Sequence, residues 1–481
     1  MSVLQNLEPA RVFYYFEEIC KIPHISYHEK ALSNYCAAFA KDHGLYFEQD
    51  EMGNILIIKD AFPGYEAAEP IILQGHLDMV GDKLPHCPID LEKEPISLRL
   101  EGDYIYADST TLGGDDGIAV AYALAILEAD TIAHPRLEVV LTVSEEVGLL
   151  GAAAMDLSSC KARRLLNIDS EEEGILTAGC AGGRRAFSSI PLTLVSGKGL
   201  VCEIKISGLL GGHSGTEINK GRANANALMG RFLLYMKGKL SYSLISLQGG
   251  VKENVIPNHS EAHILLEDTA LPVLRDTVSS FQALLSQEYT ASDAGIRIEC
   301  IPEQEKEVPV TDASSLEAVL TALNLAPNGV QAMSKDLPDL VETSLNLGVM
   351  DINNAKLELC FSIRSSVASA KDCIYQKLEQ LTTFLGGQIE FSGDYPSWSY
   401  NRTSSLRDTC VTIYKEMYGT EPKIDIIHAG LECGILSSKI EGLDCISFGP
   451  NLYDIHSPNE HMSISSVERT WKYLLGILAA K

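Results

Sequence analysis

The chain has 481 residues, 46% hydrophobic and 21% charged, the profile of a globular protein too long for one ordinary core, so two or three domains are expected. Its formal charge of −27 excludes nucleic acid and anionic membranes as main partners, because most of the surface would repel them. Small neutral or cationic substrates stay open. No 18 apolar residues run together, and the first segment MSVLQNLEPARVFYYFEEICKI lacks the pattern of a secretory signal, so a cytoplasmic protein is expected. Twelve cysteines are scattered with no C-x-x-C pair, which fits reduced thiols better than a disulfide framework or a zinc knuckle.

Residues 8 to 44 read as amphipathic helix broken at KIPHIS, and EMGNILIIKD and EPIILQGHLDMV follow as strand-like runs. GIAVAYALAILEA, 117 to 129, is helical by length and Ala/Leu content, RLEVVLTVSEE at 136 to 146 is a strand, and the short strand ARRLLNID ends at Asp169. Strands alternating with helices predict an α/β fold, a mixed sheet with helices on both faces, in which ligands gather beyond the carboxyl ends of the parallel strands. After CAGGRRAF the pattern changes to sheet-plus-two-helix units, read as two in succession over about 185 to 396. The α/β character returns with the helix SLRDTCVTIYKEMYG, the strand and Gly-rich turn of PKIDIIHAGLECGIL, the strand LDCISFGPN and the closing helix SVERTWKYLLGILAAK. A discontinuous first domain, 1–184 with 397–481, interrupted by an inserted α+β domain at 185–396, is therefore expected.

Five segments carry candidate ligands: His76 in GHLDMV, Asp115 in TLGGDDGIA, Glu145 and Glu146 in TVSEEVGLLGA, Asp169 in NIDSEEEG and His456 in DIHSPNEHM. Strand alternation points His76 and Asp78 to one face. Two imidazoles and three carboxylates suit a pair of borderline divalent ions, zinc above all, with one carboxylate bridging. The charges agree: two dications bring +4, and three carboxylates with a bridging hydroxide bring −4, which a low-dielectric site tolerates.

The order H-x-D, GGDDG, S-E-E-x-G, N-I-D-S-E and D-x-H-S-P-x-E resembles the co-catalytic zinc aminopeptidase, carboxypeptidase and aminoacylase family. Within it, GGHSGTEINKGRANAN at 211 to 226 and HAGLECG at 428 to 434 resemble the aminoacyl-histidine (Xaa-His) dipeptidase branch. The resemblance implies that Asp115 bridges two Zn2+, with Co2+ or Mn2+ as substitutes. His76 and Asp169 would complete one metal, and Glu146 and His456 the other, His461 being the surface competitor of His456. Asp78 would orient the His76 ring from behind, and Glu145 would be the general base for metal-hydroxide attack on a peptide carbonyl. It further implies that His213, on the inserted lid domain, completes the oxyanion site as the lid closes. Asn254, Arg364, Gly430, His428 and Glu432 would contact the substrate, Arg364 through its planar fork on a carboxylate.

The expected activity is hydrolysis of unblocked dipeptides, Xaa-His included. A tripeptidase, a carboxypeptidase or an N-acyl amino acid deacylase of the same family is the alternative. A homodimer through the lid domain is one arrangement left open. A binder without chemistry would have no use for Glu145 beside the ligands, and a metal-storage scaffold would take ions in loose stoichiometry rather than about two per chain.

Overall fold

The computed structural model describes residues 3–480. These divide into two compact units. The first runs to Cys180 and resumes over Trp398–Ile426 and from Leu431 onward, and the second comprises Ala181–Ser397 with Ile427–Gly430.

The first unit is built on an eight-stranded sheet ordered Tyr46–Gln49, Ile55–Lys59, Leu137–Thr142, Ile71–His76, Arg164–Asn167, Asp444–Ser447, Ile175–Cys180 and Lys423–Ile427. The four central strands are mutually parallel. Their register aligns His76 with Thr142 and Gln74 with Asn167, so the loops bearing His76 and Asp78, Glu145 and Glu146, and Asp169 leave the sheet at one edge. Parallel strands need cover on both faces. Part of that cover is the helix Gly114–Glu128, buried all round from Gly114 to Leu127, as its near-continuous Ala, Leu, Ile and Val content requires.

A small four-stranded sheet in the same unit pairs Leu98–Glu101, Tyr104–Ala107, His461–Ser463 and Leu452–Tyr453. Its last hairpin carries His456 at the tip, where Asp454 and His456 both have left-handed backbone, φ 49° and 60°. Such conformations are uncommon for residues other than glycine and are held here by the closed hairpin.

The second unit has one nine-stranded sheet, in which eight strands run in the order Arg297–Thr311, Leu194–Ser207, Ser260–Leu266, Ser243–Gly249, Val341–Asn353, Lys356–Ser365, Gly182–Pro191 and Gln388–Tyr395. Both sheet-plus-two-helix rounds are present, joined where Gln248 and Gly249 pair with Asp351 and Met350. They are nested rather than consecutive. Leu194–Ser207 through Arg297–Thr311 forms one split β-α-β-β-α-β unit with its helices Ala225–Lys237 and Leu271–Glu288. The other takes Gly182–Pro191 as its first strand, and its remaining elements follow only after the whole of the first. The stretch CAGGRRAF, read as a boundary, thus enters that strand.

Close packing of the first sheet on its central helix sets a limit at Gly75. A Cβ there would lie 2.6 Å from both the Ala119 Cβ and Asp116 Oδ2. Gly75→Ala should lower stability by about 1–3 kcal/mol, the usual range for forcing an extra carbon into a packed site, as a drop in urea midpoint. An unchanged midpoint would show that strand and helix separate without cost.

Candidate metal centre and active site

The first unit brings all five expected ligands together. Asp115 is the hub: its Oδ1 lies 3.1 Å from His76 Nε2, and its Oδ2 lies 3.2 Å from His456 Nε2. His76 Nε2 is also 3.6 Å from Asp169 Oδ1, and His456 Nε2 is 2.9 Å from Glu146 Oε1. Two donors held by one zinc at ~2.0–2.2 Å with a tetrahedral angle sit about 3.3–3.6 Å apart, close to these separations. One carboxylate facing an imidazole at each oxygen, with a further acid beside each imidazole, is a donor set that fits a pair of dications. Asp116 and Glu145 also bring an oxygen within 4.8 Å of the His76 donor atom and of its partner acid, Asp169 and Glu146 respectively.

The local sequence explains the convergence. His76 ends its strand, Asp169 lies two residues beyond Asn167, and Glu145 and Glu146 follow Ser144, whose left-handed φ of 53° turns the chain back after the strand Leu137–Thr142. Ser144 is held by the buried Glu29, which accepts from both its amide and its hydroxyl at 2.9 Å.

Two expectations need correction. His76 Nδ1 faces the Asp78 main-chain oxygen at 2.9 Å, while the Asp78 carboxylate is 3.6 Å away, so the carbonyl rather than the carboxylate orients the ring. The Asp78 carboxylate is committed to the opposing loop, accepting from the amides of Glu145 at 2.8 Å and Glu146 at 3.2 Å and from Ser26 Oγ at 2.8 Å. Glu432 is fully buried and accepts from Thr142 Oγ1 and Gln74 Nε2. Its carboxylate underlies the ligand strands rather than facing a substrate, with Oε1 buried and unpartnered.

The remaining expected residues lie in the second unit. His213 pairs with Val255 in a two-stranded ribbon, beside Asn254, whose carbonyl accepts from the Ser214 amide at 2.9 Å. His213, Arg364 and His428 meet around Gly215, where a Cβ would come within 2.9 Å of His213 Cε1, 2.6 Å of the His428 carbonyl oxygen and 3.2 Å of Arg364 Cζ. Arg364, 9% exposed, donates to the Tyr395 hydroxyl at 3.1 Å, and its buried Nε has no partner. His428 Nε2 lies 2.7 Å from Ser344 Oγ while its buried Nδ1 is also unpartnered. An unsatisfied buried guanidinium N–H, with an unpartnered ring nitrogen beside it, suits an anionic group. A Cβ at Gly430 would lie 2.8 Å from the Tyr395 ring, so this turn also needs glycine.

Sequence reasoning passed over Glu460, 1% exposed, which accepts from consecutive amides of the Asp115 loop. The last letter of D-x-H-S-P-x-E was its signal. Asp116 also braces the site, accepting from the His76 amide at 3.2 Å.

Residues 72–480 match the profile of peptidase family M20/M25/M40. The chain belongs to this family. It is accordingly a peptidase, a hydrolase of peptide bonds. It is 37% identical over 480 residues, 99% of both chains, to the cytosol non-specific dipeptidase of Escherichia coli (strain K12). It is 35% identical to aminoacylhistidine dipeptidase from Vibrio alginolyticus, whose crystal structure it matches with a TM-score of 0.90 over 99% of this chain and 98% of that one. An aminopeptidase from Bacillus cereus, 14% identical with a TM-score of 0.56 over 98% of each chain, shares the fold.

The acids of the centre crowd one another. Burial raises Asp169 to about 6 even against His76, raises Glu432 to about 8, and with neighbouring carboxylates holds Glu145 well above the usual range. Burial alone would lower the His456 imidazole, but Asp115 and Glu146 outweigh it and push it up to about 11. Burial also acts to raise Asp115, yet His456 and His76 hold it well below the usual range. Asp169, Glu432 and His456 all bind protons more readily in the folded chain than in the unfolded one, so each removes stability as pH rises, the acids from about 4 to 8 and the imidazole above about 6.5. Asp115 has the opposite sign, but only below its ordinary value near 3.8. Chelator-stripped protein should therefore melt lower at pH 8 than at pH 5, with a flatter slope in Glu432→Gln. A melting temperature that climbs over this interval would contradict the charge crowding described.

Proposed function

We propose that the chain is a cytoplasmic dipeptidase holding two Zn2+, with Asp115 between them, His76 and Asp169 on one and Glu146 and His456 on the other. The observation that carries this reading is the Asp115 carboxylate, faced by one imidazole at each oxygen, in a chain of this peptidase family. Full-length similarity to dipeptidases, the second unit included, supports dipeptides as substrates, Xaa-His among them. Similarity to the cytosol non-specific dipeptidase of Escherichia coli supports the compartment, and among the described residues no helix is long and apolar enough to cross a membrane. Imidazole and carboxylate donors favour zinc.

When bound, the two ions lower the pKa of a water toward ~7 and polarise the scissile carbonyl. Glu145 takes the proton from the attacking water and delivers it to the leaving amine. Its place beside His76 and Glu146, with a carboxylate oxygen near both, puts it within reach of a water held at the centre. His213, lowered by burial and by Arg364, is neutral at pH 7 and donates one ring N–H to the developing oxyanion. Arg364 receives the terminal carboxylate, with His428 beside it; Asn254 and the Gly430 turn contact the rest of the dipeptide.

Glu145→Ala should retain about two zinc ions per chain by metal analysis while turnover falls roughly 10²–10⁴-fold, the range for a lost general base. Turnover at the wild-type rate would remove Glu145 from the mechanism. Arg364→Lys should raise KM for free dipeptides by about 10–100-fold, as loss of a charged hydrogen bond implies, and leave dipeptide amides nearly unaffected. A panel of dipeptides, tripeptides and N-acyl amino acids, followed by amine release, tests the substrate class: turnover of acylated compounds alone would replace the dipeptidase with a deacylase.

A further inference from the structure

Glu460 lies four residues after His456, and its carboxylate receives a loop more than 300 positions away. Oε2 accepts from the amides of Leu112 at 2.8 Å and Gly113 at 3.1 Å; Oε1 accepts from Gly114 at 2.8 Å and Asp115 at 3.3 Å. Four consecutive amides can converge on one group only if the backbone curls around it. Gly113 supplies the curl with a left-handed φ of 71°, and at Gly114 a Cβ would sit 3.3 Å from Oε1 and 2.8 Å from the Leu452 side chain. The two glycines of TLGGDDG thus make room for this carboxylate. Regular helix begins only beyond Asp116, because Asp115 and Asp116 have non-helical backbone, so Glu460 serves as the acceptor for amides that helix hydrogen bonding leaves open.

The other end of the link is equally fixed. The Glu460 amide donates to the Ser457 carbonyl at 3.0 Å, closing the turn that presents His456. Next to it His461 is stacked between Tyr106 and Tyr453, ring centroids 4.7 and 4.9 Å away, with the edge of Tyr104 against it. The hairpin therefore has little freedom to shift independently of the Asp115 loop.

We infer that Glu460 is a positioning residue that locks the Asp115 loop to the His456 loop, so that both cation positions of the centre are assembled as one unit. This rests on the proposed reading of Asp115 as the shared ligand. Glutamine at this position would aim an amide NH2 at the N–H cluster in place of an acceptor. It should loosen Asp115 and weaken both positions together.

The test is zinc titration of chelator-stripped protein against a chromophoric competitor, for wild type, Glu460→Gln and His456→Ala. Wild type should take two ions. Glu460→Gln should weaken both by about 10–100-fold, the usual effect of removing a group that orients ligands, with turnover recovering at excess zinc, whereas His456→Ala should lose one position and keep the other. Hydrogen exchange at residues 112–115 should rise in Glu460→Gln and stay unchanged in the strand Ile71–His76. Where Glu460→Gln does not fold, Glu460→Asp takes its place, keeping the charge on a shorter arm and giving a smaller fall at both positions. Wild-type affinity in the folded variant, or loss of a single position, overturns the inference. A wild-type chain that fails to take two ions instead overturns the underlying reading of Asp115.

Discussion

The Asp115 carboxylate, held between two imidazoles that approach from different loops, is the interaction on which the rest of the first unit depends. His76 and Asp169 stand near one of its oxygens and Glu146 and His456 near the other, while Asp116 and Glu145 press in at the side. Two carboxylates ~4 Å apart repel by about 4 kcal/mol at an effective dielectric of ~20, so gathering this many in one place opposes folding. Burial above all, with neighbouring carboxylates adding to it, displaces Asp169, Glu145 and Glu432 upward. A pair of dications would reverse the sign of the repulsion. On this view metal affinity and fold stability are coupled: the packing of sheet and helix enforces a concentration of charge that bound protons relieve at low pH and dications would relieve at neutral pH.

Holding flexible acid side chains in such an arrangement requires that their backbones be fixed first. Four buried carboxylates outside the proposed ligand set do this by accepting main-chain amides: Glu29 at Ser144, Asp78 at Glu145 and Glu146, Asp116 at His76, and Glu460 across Leu112 to Asp115. Charge-assisted bonds to backbone N–H groups are among the stronger hydrogen bonds available, and burial shields them from competing water. Beneath them, Glu432, Gln74, Asn167 and Thr142 link three neighbouring strands and the helix Glu432–Lys439 through their side chains. Acids thus serve in two capacities here, some presenting charge to the site and others orienting the chain that presents it.

Much of this was legible before any coordinates because it is written in local pattern. The run IILQGH alternates and stops like a strand, GIAVAYALAIL has the composition of an enclosed helix, and the ligand motifs follow strands in the order an α/β sheet demands. What escaped was non-local. The strand Gly182–Pro191 reads as a glycine-rich join because its partners, Lys356–Ser365 and Gln388–Tyr395, lie more than 160 residues further on; the nesting of the two β-α-β-β-α-β units follows from the same long-range pairing. Glu432 was given a substrate contact by the family resemblance of HAGLECG, and only burial reveals that it faces inward. Asp78 was placed near its correct neighbour, yet the choice between its carbonyl and its carboxylate as acceptor depends on two amides that no spacing rule could bring to it.

The second unit holds a separate cluster, His213, Arg364 and His428 around Gly215, with little charge of its own. Burial, together with the neighbouring guanidinium of Arg364, lowers His428 to about 3 and lowers His213 as well, so at neutral pH neither imidazole is a cation and Arg364 supplies the single positive charge of the cluster. Its Nε and the Nδ1 of His428 are both buried without partners, a costly condition unless a ligand satisfies them. One fixed charge with open hydrogen-bond capacity suits one carboxylate and gives little help to a second. A free dipeptide with an uncharged side chain presents just one. In a protein whose formal charge is −27, such a cluster favours small anions by local geometry against the general field; on the proposed reading, substrate choice would then rest on the Arg364 and His428 contacts rather than on long-range attraction.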